Sequence, residues 1–222
     1  TYPWVRVMPD GTRRNSITLI DRKGAIAGTY NKNYPVPSET SESGILCGKE
    51  ATVIETDFGR VALAICFDLN FPELLARYKA QKPDLIVFCS MYHGGLMQKY
   101  WAYECRSHFV GAIARTESTV INPVGEMVAR STNYIPKVTA TINLDSRVVH
   151  LDDNWEKMQA AKNKYGRGVT ILDPGHLGTL LFSSEMADKS VDELIEEFKI
   201  ELWDEYYQRS VLHRQNPTNV EP

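Results

Sequence analysis

Gly59-Arg60-Val61-Ala62-Leu63-Ala64-Ile65-Cys66-Phe67-Asp68-Leu69-Asn70-Phe71-Pro72-Glu73 reads as a buried strand that ends on a cysteine and runs at once into a turn and a helix. Val61 to Ile65 are apolar without a break, the pattern of a strand covered on both faces. Pro72 suits the first position of a helix, and Glu73 in the first turn complements its dipole. A thiol at such a junction lies near a partly positive helix end, a setting that favours nucleophilic sulfur. The same pattern also suits an inert core cysteine. Position alone leaves both readings open.

Working outward, Ser16 to Ile20 and Ala25 to Tyr30 are strand-like runs joined by the turn Asp21-Arg22-Lys23-Gly24. Residues 31 to 50 form a loop rich in Pro, Ser, Thr, Glu and Gly, long enough in a compact domain to suggest a functional role. Ala51 to Glu55 and Arg60 to Cys66 make a second hairpin. Then follow a helix (72 to 80), a buried strand (84 to 90), a helix (97 to 110), a strand (118 to 122) and a last pair of strands (127 to 130 and 137 to 143). Hairpins mixed with strand-helix units suit a two-sheet sandwich with helices outside, in one domain over 1 to 222. Towards the C-terminus, Asn154 to Tyr165 looks helical. Residues 190 to 213 read as one long amphipathic helix opened by a capping box of Ser190 and Glu193.

The segment around Cys66 resembles the catalytic segment of the carbon–nitrogen hydrolase (nitrilase) superfamily, where a strand ends in Cys-x-Asp and Phe-Pro-Glu follows; here these are Cys66, Asp68, Phe71, Pro72 and Glu73. Gly28-Thr29-Tyr30-Asn31-Lys32 is similar to the family's Gly-x-Tyr-x-Lys segment, whose lysine is catalytic. Glu42 to Gly48 resembles the loop that often carries an accessory glutamate, although Glu39 could align in its place. Trp101 to Arg106 and Ser118 to Asn122 fit the following helix and strand. The resemblance implies an α/β fold, a four-layer αββα sandwich. It implies a nucleophile at Cys66, oxyanion stabilisation by Lys32 with the backbone N–H of Phe67, and Glu42 as the carboxylate that holds Lys32. Lys32 and Cys66 should then converge in one cleft.

One departure stands out. The family's general base is a glutamate at the end of an early strand, and residues 1 to 31 contain no glutamate. Their only acids are Asp10, in a Pro-Asp-Gly turn, and Asp21, in a hairpin turn. With a first residue of Thr1, this points to a fragment or processed product, N-terminally incomplete and lacking the first strand-helix units.

The implied activity is hydrolysis of a small linear amide or N-carbamoyl compound, or less readily a nitrile, through a cysteine thioester, with no metal or organic cofactor. A non-catalytic module that keeps the fold for binding or assembly is the alternative that the absent base favours. A Cys-His enzyme using His93 or His108 is a third reading, weakened because Cys66 lacks the flanking glycines of a nucleophile elbow. Asp68 reads as a brace for the turn after Cys66 through backbone N–H groups. Tyr92, His93, Gly94 and Gly95 follow a strand end, where they could line a pocket or form a plain loop.

Composition narrows the partners. At 222 residues, 43% hydrophobic and 24% charged, the chain can build a well-formed core. A net charge of -3 and a pI near 6.0 give no reason to invoke nucleic acid or an anionic membrane. No apolar run has the length of a membrane helix. Cys47, Cys66, Cys89 and Cys105 include no Cys-x-x-Cys pair, so zinc is not indicated, and so few cysteines suit a reducing, cytoplasmic setting. The resemblance adds an expectation of a homo-oligomer, on which the C-terminal helix could dock.

Overall fold

The computed structural model describes residues 1–91 and 94–221, in two compact units, Thr1–Leu144 and Asp145–Pro222.

The first unit opens with an antiparallel three-stranded sheet, β1 (Tyr2–Val7), β2 (Arg13–Ile20) and β3 (Ile26–Asn31), in that spatial order. Helix α1 (Pro37–Ser43) follows, inside the stretch expected to be loop. A six-stranded sheet then runs β4 (Val53–Thr56), β5 (Gly59–Ile65), β6 (Leu85–Ser90), β7 (His108–Ile113), β8 (Thr119–Ile121) and β9 (Met127–Arg130), in sequence order. Strands β5, β6 and β7 are parallel; the outer pairs are antiparallel. Helices α2 (Pro72–Gln81) and α3 (Leu96–Cys105) make the crossovers. The helix expected over 97 to 110 stops at Cys105, because Arg106 turns left-handed at φ 56° and the chain re-enters the sheet as β7. The strand expected over 137 to 143 is irregular chain.

Period-two alternation sorts the side chains of this sheet onto two faces. Ala62, Ala64, Ile86, Phe88 and Phe109 pack with Leu74, Tyr78 and Trp101 of the helices. Val61, Leu63, Ile65, Leu85, Val87 and Cys89 face the other way, onto Ile17 of β2 and Tyr30 of β3. The unbroken apolar run of β5 is thus covered on both faces, as its sequence requires.

The second unit pairs β10 (Ser146–His150) with β12 (Thr179–Ser184), and β12 with β11 (Val169–Leu172), all antiparallel. Val149, Leu180 and Phe182 form its core with Met158 and Ala161 of α4 (Trp155–Tyr165) and Val191 and Leu194 of α5 (Val191–Phe198). The capping box is present: the Ser190 hydroxyl accepts from the Glu193 N–H, and the Glu193 carboxylate accepts from the Ser190 N–H. The single helix expected over 190 to 213 is broken. Lys199 ends α5 in the left-handed conformation, Ile200 drops into the core, and α6 (Trp203–Gln215) begins afresh with no buried residue. Among the described residues, no helix is long and apolar enough to cross a membrane.

Candidate active site

Cys66 is the first residue after β5, at the start of a short 3-10 turn (Cys66–Asn70) that leads into α2. Strict alternation would aim its side chain at the helix layer with Ala62 and Ala64. Instead its φ of 50° turns the thiol back to the face of Ile65 and Cys89. A left-handed non-glycine residue costs about 1–2 kcal/mol, so the surroundings must hold it there.

Asp68 does so. Its buried carboxylate accepts from the Ile65 N–H (2.9 Å), the Tyr30 hydroxyl (2.8 Å) and the Tyr34 N–H (2.9 Å). One group thus ties the residue before Cys66 to β3 and to the chain beyond it, the bracing role read from the sequence. Burial pushes the Asp68 carboxyl up to about 6, against the lowering effect of these three donors and of the Lys32 charge.

The Tyr30-x-Lys32 spacing sends both side chains to the same side of the chain as it leaves β3. Lys32 is 2% exposed, and its Nζ lies 2.5 Å from Glu39 Oε2. The Lys32 backbone is clamped at both ends, its N–H donating to the Asn15 carbonyl (2.8 Å) and its own carbonyl accepting from the Gly48 N–H (2.7 Å). Gly48 is required there, since a Cβ would fall onto the Asn31 carbonyl.

Glu39, not Glu42, is the carboxylate on Lys32. Both lie on α1, but Glu42 is exposed, whereas Glu39 also accepts from the Asn15 side-chain amide (2.7 Å) and the Val36 N–H (2.8 Å). Burial works to raise the Glu39 carboxyl, yet the hydrogen bonds from Lys32, Asn15 and Val36 hold it below the ordinary carboxylate range. The selection follows from capping geometry. Pro37 opens the helix, so Glu39 is its third residue and reaches back to the N–H of Val36.

Lys32, Glu39 and Cys66 line one cavity of about 680 Å³, with Asn15, Cys89 and Ala112 among its other walls. Ile65 pairs with Cys89, and Cys89 with Ala112, so the cavity sits at the C-terminal ends of β5, β6 and β7. Parallel strands place their ligand sites at that end. Among the described lining residues Glu39 is the only carboxylate. Asp10 and Asp21 are spent in their own turns, accepting from Thr12 and from the N–H groups of Lys23 and Ala25. Phe67 follows Cys66 directly, but its ring is edge-on to Phe71 and does not line the cavity.

The strand register removes His108. It opens β7 beside Leu85, whereas the cavity end of that strand is Ala112, four residues on, or roughly 13 Å away. Burial also drives His108 down to about 4, against the pull of Asp84. Tyr92 and His93 lie outside the described residues; Gly94 and Gly95 do not line the cavity. Among the described residues no cluster of His, Cys, Asp and Glu is placed to hold a metal ion. Asn15, Cys89 and Ala112 are cavity residues that the sequence reading did not single out, while Glu39 stood there as the alternative to Glu42.

Known proteins resemble this chain in the same region. The model of the carbon–nitrogen hydrolase family matches residues 6–148. Human deaminated glutathione amidase is 24% identical over 156 residues, covering 59% of this chain and 48% of its own length. Saccharomyces cerevisiae Nit3, a member of branch 10 of the nitrilase superfamily, superposes with a TM-score of 0.52 at 18% identity, over 58% of this chain and 53% of that one. A mutant of a Nesterenkonia amidase that carries the acetamide moiety of fluoroacetamide on its active site cysteine superposes with a TM-score of 0.51 at 20% identity, over 58% of this chain and 55% of that one. The fold is that of the nitrilase superfamily. The chain spans about half the length of these proteins.

Proposed function

The chain belongs to the carbon–nitrogen hydrolase family, and from that premise we propose that it hydrolyses a small linear amide or N-carbamoyl compound through a thioester on Cys66. The reading is carried by one observation: a thiol turned into a cavity by a strained backbone, with a buried, carboxylate-paired lysine lining the same cavity. The Cys66 sulfur attacks the amide carbon, and negative charge develops on the carbonyl oxygen. The Lys32 ammonium, itself buried, stabilises that charge together with the Phe67 N–H. Glu39 takes the holding role first given to Glu42, fixing the ammonium so that little reorganisation is needed at the moment of attack. Collapse releases ammonia or an amine and leaves the thioester, which water cleaves to the carboxylic acid.

Those steps move protons from the thiol, to the leaving nitrogen and from water. Glu39, the one carboxylate among the described cavity residues, already accepts from three donors, so the described lining offers no unengaged carboxylate as general base. That observation favours the second reading, a binding or assembly module on the same fold. Ammonia release from short aliphatic amides and N-carbamoyl compounds separates the two. Release that disappears in Cys66→Ala supports hydrolysis, and release that survives in full ends it. Saturable amide binding without release favours the module.

A further inference from the structure

The cavity holds a second thiol that hydrolysis leaves unused. Cys89 lies near the end of β6, directly paired with Ile65, and Cys66 is the next residue along. One strand across and one residue along separates Cα atoms by roughly 6 Å, inside the range of about 4.4–6.8 Å that a disulfide spans. The left-handed turn at Cys66 brings both thiols to one face; both pack on Leu63 and Ile65's cluster, and both line the cavity. Neither remaining cysteine shares this placement. Cys105 is buried on the helix side of the sheet, and exposed Cys47 lines a separate surface pocket with Met8 and Arg14.

We infer that Cys89 is a resolving thiol for Cys66, so that a hydroperoxide converts the pair into a reversible disulfide across the cavity. The inference rests on the reading of Cys66 as a reactive sulfur. Cys66 sulfur attacks the peroxide, the O–O bond breaks, and Cys66 becomes a sulfenic acid as water leaves from hydrogen peroxide, or an alcohol from an organic hydroperoxide. The Cys89 sulfur then attacks the sulfenic sulfur, forming the S–S bond; the S–O bond breaks, and the Cys89 proton leaves with the hydroxyl as a second water. Peroxide is the only oxidant consumed, and a dithiol returns both cysteines to the reduced state. The bond removes the nucleophile and also spares it from the irreversible sulfinic and sulfonic states.

The test is peptide mapping of a Cys47→Ser chain after hydrogen peroxide and then dithiothreitol. The expected product is a Cys66 peptide joined to a Cys89 peptide, two hydrogens lighter than the reduced pair, and cleaved by the dithiol. In Cys89→Ser, and in Cys89→Ala as a second variant, Cys66 should instead gain two or three oxygens, with about tenfold less thiol recovered. Absence of the linked pair, with equal over-oxidation with and without Cys89, overturns the inference. If fluoroacetamide still labels Cys66 in that case, the active-site reading survives alone. If fluoroacetamide fails to label Cys66 in the reduced chain, both fall.

Discussion

Removing one oxygen atom, by Tyr30→Phe, should weaken the turn that aims Cys66, by an amount that depends on pH. The Tyr30 hydroxyl donates to the Asp68 carboxylate and accepts from the backbone N–H and side-chain amide of Asn33, both at 3.1 Å. A hydrogen bond to a buried charge contributes about 1.5–3 kcal/mol, and an orphaned buried N–H costs about 1–3 kcal/mol more. The Asn33 amide keeps the carbonyls of Asn31 and Glu50, which limits the second loss. Together these give a deficit of about 2–4 kcal/mol near neutral pH. Asp68 sets its pH dependence. Its folded value of about 6 lies above its reference value of 3.8, so the stability contributed by its neutral form is fully present below 3.8 and lost as pH rises through about 6. Where Asp68 is neutral, the lost bond is an ordinary one of about 0.5–1.5 kcal/mol. The variant's deficit should therefore shrink by about 1 kcal/mol or more between about pH 7.5 and about pH 4.5. Urea unfolding read by hydrogen exchange of the peptide spanning 60–71 follows this turn independently of the second unit. A deficit below about 0.5 kcal/mol, or one equal at both pH values, would refute the reasoning.

Three further outcomes follow from the same geometry. Glu39→Gln should slow amide hydrolysis by about tenfold or more, while Glu42→Gln leaves it unchanged; equal effects in a kcat/KM comparison would dissolve the Lys32–Glu39 assignment. Gly48→Ala should destabilise the chain by about 2 kcal/mol or more in urea unfolding, because its methyl meets a backbone carbonyl that cannot rotate away. Ala112→Leu adds bulk to the cavity wall and should raise KM for branched acyl groups more than for acetamide; uniform loss across substrates would indicate damage to the fold instead.

The strand-cysteine-turn-helix unit was legible because each of its signals is local: an unbroken apolar run, Pro72 at the helix start, and Asp68 within reach of the turn it braces. Tyr30-x-Lys32 was legible for the same reason. The choice between Glu39 and Glu42 was not, because both lie on one short helix and only the position of Pro37 tells which carboxylate turns inward. Strand β7 was hidden because His108 to Ile113 continues an apolar pattern from α3, and Arg106 gives no glycine or proline signal for the left-handed stop. The break between α5 and α6 was hidden similarly. Leu202 and Tyr206 follow Phe198 at steps of four, so an interruption at Lys199 leaves the helical period intact. The role of Cys89 needs the register of β5 against β6, which no single stretch of sequence encodes.

Reaction with fluoroacetamide followed by peptide mapping interrogates the Cys66–Lys32–Glu39 site most directly. Carbon–fluorine bonds resist ordinary thiols, so exposed Cys47 serves as an internal control. One acetamide adduct on Cys66, absent from Cys47 and strongly reduced by Lys32→Met, is the expected result. Labelling of Cys47 alone, or labelling of Cys66 that is indifferent to Lys32, would contradict it.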